Sequence, residues 1–178
     1  LSKLFETTRK SRAASEQIAR EEAFKFFEAT GLPSRRVEAF KYTDLRAAIT
    51  DAAPPAEAPS ADAAKAAVAS AKGLAGIEAV RLTFVNGHLI EALSDLSRLP
   101  AGVSVKTLSA ALSSGDPLLK SLAPVEQARE NPVYRLNAAF MADGALISVE
   151  AGTRVEPPLH LRFVGTGETP FPTATRVL

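Results

Sequence analysis

The chain contains no cysteine among its 178 residues. That absence removes disulfides, thiolate nucleophiles, zinc knuckles and cysteine-ligated clusters from the chemistry available here. Histidine is scarce too: His88 and His160 lie far apart, and neither has a carboxylate or second histidine at metal-ligand spacing. His88 follows a turn and is expected at the surface, while His160 is expected to point away from the face shared by Leu159 and Leu161. No apolar run reaches the roughly 20 residues that span a bilayer, and the N-terminus lacks an ordered n-region, h-region and cleavage site. A cytoplasmic protein without membrane contact is expected. A surplus of one charge is also missing, since the formal net charge is +1, so nucleic acid is not an expected partner.

Catalytic patterns are absent as well. Gly165-Thr166-Gly167 is followed neither by a helix pattern nor by Lys and Ser/Thr in the phosphate-loop arrangement. No serine sits in a Gly-x-Ser-x-Gly elbow, and Ser113-Ser114-Gly115 reads as a loop. Glu21 and Glu22, adjacent on a predicted helix, project in different directions and form no acid/base pair. The expectation is a chain that is not an enzyme, with no catalytic, cofactor-binding or metal-binding residue and no cofactor of its own.

What is present is apolar pattern. Ala19, Ala23, Phe26, Phe27 and Thr30 recur at helical spacing with Glu16, Arg20, Glu21 and Lys25 around them, and Gly31 and Pro33 supply a stop. Residues 34–49 are dense in Arg, Glu, Lys and aromatics, and Thr43-Asp44 resembles a cap opening a short helix. The cluster of Arg35, Arg36 and Lys41 with Phe40 and Tyr42 could neutralise and stack on a polyanion, but in a neutral chain a packed, salt-bridged joint is the favoured reading. Residues 51–60 form an Ala/Pro tract that reads as a linker.

Beyond it, Ala61 to Lys72 is helical by propensity, and Val80, Leu82 and Phe84 alternate before the hairpin signal Asn86-Gly87. Val103 to Val105 adds a strand, Leu108 to Leu112 a short helix, and Asp116 caps a further turn from Pro117. After Asn131-Pro132, the set Val133, Leu136, Asn137 and Phe140 has helical spacing, and Asp143-Gly144 reads as a turn. Ala145, Ile147 and Val149 then alternate, as do Leu159, Leu161 and Phe163 after Pro157-Pro158. The resulting division is a helical domain at residues 1–50, the linker at 51–60, a small mixed α/β element at 61–130 and a β core starting at 131–178. The class is α+β, and the short strands leave solenoid, sandwich and barrel open. A start at Leu1 without an initiator Met and a stop at Arg176-Val177-Leu178 are expected of a piece of a longer protein.

Two stretches together resemble a family. They are Gly31-Leu32-Pro33 with Arg35-Arg36-Val37-Glu38-Ala39-Phe40-Lys41-Tyr42-Thr43-Asp44-Leu45, and Leu136-Asn137-Ala138-Ala139-Phe140 with Asp143-Gly144 and Gly152. They resemble the SufD family of iron-sulfur cluster assembly proteins, sisters of SufB. Phe40 stands where that family commonly has Trp, which keeps an aromatic ring but loses the indole N–H. The resemblance implies an N-terminal helical domain followed by the first coils of a right-handed parallel β-helix. It also implies a non-catalytic scaffold subunit, partner of SufB and of the ATPase SufC, in a complex that handles iron-sulfur clusters and uses ATP through SufC. The contacts and cluster residues it implies lie mostly beyond residue 178, so no site residue is carried onto this chain, and self-association through an open β-helix end is expected. Two alternatives stand beside it: a β-helix carbohydrate-modifying enzyme, for which 145–164 offers Glu150, Glu156 and His160, and a stand-alone binding module using Arg35 to Tyr42 to grip an anionic partner.

Overall fold

A computed structural model describes residues 1–9, 14–74, 76–122, 129–167 and 171–178; residues 123–128, inside the predicted mixed element, lie outside the described residues, as does the side chain of Glu16. The architecture is α+β, with helices and two small mixed sheets that do not close into a barrel. The chain divides into two compact units, Leu1–Pro55 with Lys120–Met141 and Ala56–Leu119 with Ala142–Leu178. The first break falls inside the Ala/Pro tract.

The first unit holds helices α1 (Ser2–Arg9), α2 (Ala14–Thr30), α3 (Leu45–Ala48) and, late in the chain, Pro132–Phe140. Its core is aromatic. Phe5 and Phe24 stack at 4.1 Å between centroids, and the edge of Phe140 meets both rings at 5.8 and 5.9 Å. Ala23, Phe27 and Ala139 complete the buried set. Offset and edge-on rings of this kind add a specific geometry to the burial energy of about 2 kcal/mol per side chain.

The buried stripe of α2 is rotated from the predicted one. Arg20, Ala23, Phe24 and Phe27 are buried, whereas Ala19 and Thr30 are exposed. An arginine tolerates that place because its Nη1 donates to the Ala139 carbonyl at 3.1 Å, satisfying a charged group that would otherwise be costly to bury. The late helix starts where Asn131-Pro132 predicted, with the Asn131 side chain accepting from the Val133 and Tyr134 amides and Pro at the first turn. Residues 132–140 form the helix their spacing predicts, and this helix, grouped by the predicted bounds with 131–178, packs with α1 and α2, because Leu136, Ala138, Ala139 and Phe140 supply the apolar face those helices need.

The second unit holds α4 (Ala61–Ser70), α5 (Leu108–Ser114) and six strands: β1 (Val80–Val85), β2 (His88–Leu89), β3 (Val103–Thr107), β4 (Asp143–Val149), β5 (Leu159–Val164) and β6 (Thr175–Val177). With these in place the late helix of the first unit, Pro132–Phe140, is α6. The Asn86-Gly87 turn forms as predicted, with φ of 54° and 87°, both in the left-handed region that a two-residue hairpin requires. One sheet runs β2-β1-β5 and the other β3-β4-β6. Within them β1 pairs with β5, and β4 with β6, in parallel. From β4 the chain crosses to the other sheet as β5 and returns as β6, placing Thr175 beside Asp143. Leu82, Phe84, Leu89 and Ala145 form the buried core between the sheets, with Val105, Ile147 and Leu161 against it.

Asp143-Gly144 is not the predicted turn; it opens β4. The glycine is needed for a close approach, because a Cβ at 144 would clash with the Arg176 carbonyl of β6. The Asp-Gly pair carries the composition of a turn for reasons of packing and hydrogen bonding within a strand.

Candidate functional site

The two flanks of the β2-β1-β5 sheet are finished differently. Beyond β2, the Ile90 and Asp95 amides donate to the Thr83 and Arg81 carbonyls, both at 2.8 Å. In return the Arg81 amide donates to Asp95 Oδ2 at 3.1 Å and the Thr83 amide to Ser94 Oγ at 2.9 Å. Two side chains thus stand in for the carbonyls of a neighbouring strand, and this flank of β1 is sealed.

On the other flank, the Val80 and Asn86 amides donate to the Pro158 and Val164 carbonyls, so the even-numbered residues of β5 bond to β1. By alternation Leu159, Leu161 and Phe163 present their backbone groups outward, and β5 has no further strand beside it among the described residues. In the second sheet, Ala174 and Leu178 bond to β4, and by the same alternation the backbone of Val177 on β6 faces outward. The apolar side chains of this rung are partly uncovered: Phe163 is 57% and Val177 38% exposed, although Phe163 stacks on Phe84 in register at 4.6 Å. Unpaired backbone beside exposed apolar side chains is the surface on which a further strand can add.

A buried carboxylate holds this unit together. Asp143, 4% exposed, accepts from the Ser109 amide at 2.9 Å and the Leu89 amide at 3.1 Å, tying the first turn of α5 and the hairpin to β4. Sequence reasoning missed it, because its only local signal is a following glycine. Asp116 begins the turn from Pro117 as predicted, its Oδ1 accepting from the Leu118 amide at 3.0 Å, and its Oδ2 meets Lys106 Nζ at 2.8 Å. The Lys106 hydrogen bond, then that from Leu118, holds its carboxyl below the ordinary value of 3.8.

The two histidines are not brought together in one sheet position. His160 pairs with Arg81 in register on β5, and His88 pairs with Val85 on β2. His88 is half-buried rather than at the surface, and its Nε2 has no hydrogen-bond partner, because the sheet face that carries it also carries fully buried Thr83 and Val85. Arg162 Nη2 donates to Thr83 Oγ1 on that face at 3.0 Å, while its Nε is unpartnered. Glu150 and Glu156 are exposed at the two ends of the turn through Gly152, and Glu156 pairs with Arg154 at 2.6 Å. Among the described residues no three His, Cys, Asp or Glu side chains are grouped to hold a metal ion, and no helix is long and apolar enough to cross a membrane.

The basic cluster of residues 35–42 is an exposed turn, not the packed joint that was favoured. Its one ion pair, Lys41 with Glu38 at 2.6 Å, is solvent-facing, and Tyr42 is 88% exposed. The predicted cap does form: Asp44 Oδ1 accepts from the Arg46 and Ala47 amides at the start of α3.

The fold is an α+β module whose strand unit has one sealed sheet flank and one partly uncovered rung of strands. Its sequence gives that module a family: the chain belongs to the SufBD proteins, since the family model described as the SufBD protein N-terminal region matches residues 2–161. That membership ties it to SUF iron-sulfur cluster assembly. Among curated proteins, none matches this chain.

Proposed function

We propose that the chain is the N-terminal portion of a SufD-like, non-catalytic scaffold subunit that assembles with a SufB-like subunit and a SufC-like ATPase in the cytoplasm. In this reading β4, β5 and β6 are the opening coil of a right-handed parallel β-helix. The observation that carries it is the circuit from β4 through β5 to β6, which returns the chain to its starting sheet in parallel register. A solenoid is built from such circuits, each burying its apolar face against the next. The sealed flank of β1 supports the same reading, since a terminal repeat needs its outer backbone satisfied. Gly31-Leu32-Pro33 and Lys41-Tyr42-Thr43 favour SufD over its sister.

Clusters are then the cargo of the complex, ATP is hydrolysed by the SufC-like subunit, and this segment holds no cofactor of its own. Co-expression of the full-length protein with SufB-like and SufC-like subunits tests the proposal. A stable ternary complex is expected, with only sub-stoichiometric iron on the isolated segment after anaerobic reconstitution. Failure to co-purify, or one tightly held cluster per segment, overturns it.

A further inference from the structure

We propose that the turn spanning residues 34–43 is a docking surface for an acidic segment of a partner protein, with Arg35 and Arg36 gripping carboxylates and Tyr42 supplying the apolar contact.

The turn is ordered by its own backbone. The Val37 amide donates to the Ser34 carbonyl at 3.0 Å, Phe40 to Val37 at 2.8 Å, Lys41 to Glu38 at 3.2 Å and Thr43 to Phe40 at 2.8 Å. Arg46 Nε bonds back to the Leu32 carbonyl, so the segment after the turn is tied to the segment before it, and Pro33 is buried. Four consecutive tight turns leave little conformational freedom to lose on binding.

Its side chains nevertheless find almost nothing to pack on. Arg35, Arg36, Val37, Lys41 and Tyr42 are exposed, with Tyr42 at 88% and Val37 at 45%. The charges are unevenly spent. Glu38 is neutralised by Lys41, and Asp44 is occupied by the α3 amides. Arg35 and Arg36 have no ion-pair partner among the described residues. Lys41 Nζ, already paired with Glu38, also lies 5.3 Å from the centre of the Tyr42 ring, so among the described residues the two unpaired charges of the turn are those of Arg35 and Arg36.

A backbone-ordered turn that carries two unpaired arginines and an uncovered tyrosine has residue types enriched in protein interfaces. Guanidinium groups take carboxylates in two-bonded geometry, and the ring and Val37 can cover an apolar neighbour in the same segment. A nucleic acid is the weaker fit: one exposed ring offers no row for stacking successive bases, Glu38 sits inside the cluster, and the chain as a whole carries only +1. The surface lies within the helical unit and needs nothing from the strand edges, so it stands or falls separately from the scaffold proposal.

The test is photo-crosslinking in the source cell, using the full-length protein with a benzophenone amino acid in place of exposed Ala39. The expected result is an adduct whose crosslinked peptide, mapped by mass spectrometry, is rich in Asp and Glu. The double variant Arg35→Glu, Arg36→Glu should lower adduct yield roughly tenfold or more. Its circular dichroism and melting should match the parent, since neither side chain supports the fold. A nuclease-sensitive adduct, one mapping to a segment without acidic residues, one indifferent to the charge reversal, or none at all overturns the proposal. Loss of the SUF complex with the adduct retained would count against the proposed function alone.

Discussion

The helical unit and the strand unit solve the same problem of burying apolar surface in opposite ways. In the first, Phe5, Phe24 and Phe140 meet one another from separate helices and the aromatic cluster closes on itself. In the second, Phe84 is fully buried while its stacking partner Phe163 has one face toward solvent. A closed cluster is complete at a fixed number of side chains, whereas a stack of strands gains from every added layer. The comparison teaches that exposed apolar residues in the strand unit follow from its architecture and need no flaw in its packing.

The largest expected effect comes from breaking the closed side. Phe24→Ala removes the ring at the centre of the aromatic cluster and should cost about 4 kcal/mol. Hydrogen exchange should report the loss at α1, α2 and α6 amides, with β1 and β4 protection retained; equal loss in both units would erase the distinction. On the strand side, Gly144→Ala forces β4 and β6 apart and should cost about 3 kcal/mol. Its signature is loss of protection at Leu178 and Ile147, whose amides bond across that pair.

Asp143→Ala comes next, at about 2 kcal/mol, because the Leu89 and Ser109 amides lose their buried acceptor. Urea unfolding reads it, and a cost confined to the hairpin would show that α5 is held by its cap alone, where Thr107 Oγ1 accepts from the Ala110 amide. The smallest effect sharpens the comparison through pH. Asp116 is held below 3.8, so its contribution is fully present above that value and fades as pH falls through its lower folded value. Asp116→Asn should therefore flatten stability against pH in the acid range below 3.8 and leave the pH dependence above it unchanged.

The same division separates what the sequence made legible from what it did not. Features set by neighbours in the chain were readable: the Asn86-Gly87 hairpin, the Asp44, Asp116 and Asn131 caps, and the alternation at Ala145-Ile147 and Leu159-Leu161. Features set by distant partners were not. Nothing near Val80 announces a parallel partner at Leu159, and nothing near Leu136 says that its apolar face belongs with Phe24. Arg20 was placed on the solvent side because its charge suits water, and the carbonyl that satisfies it lies more than a hundred residues along the chain. Tyr42 failed in the opposite sense: an aromatic was expected to pack, and its turn leaves it in solvent. No catalytic site residue was named from the sequence. The surfaces singled out here come instead from strand pairing and side-chain exposure, which composition does not encode.

The seal that Ser94 and Asp95 place on β1 also gives that sheet a direction for growth. Two copies that met through their free β5 flanks would present outward, in that sheet, the flanks on which Ser94 and Asp95 already bond the β1 amides. A third copy would find no open β1 edge there, and a variant such as Ser94→Ala, which frees the Thr83 amide, removes part of that block.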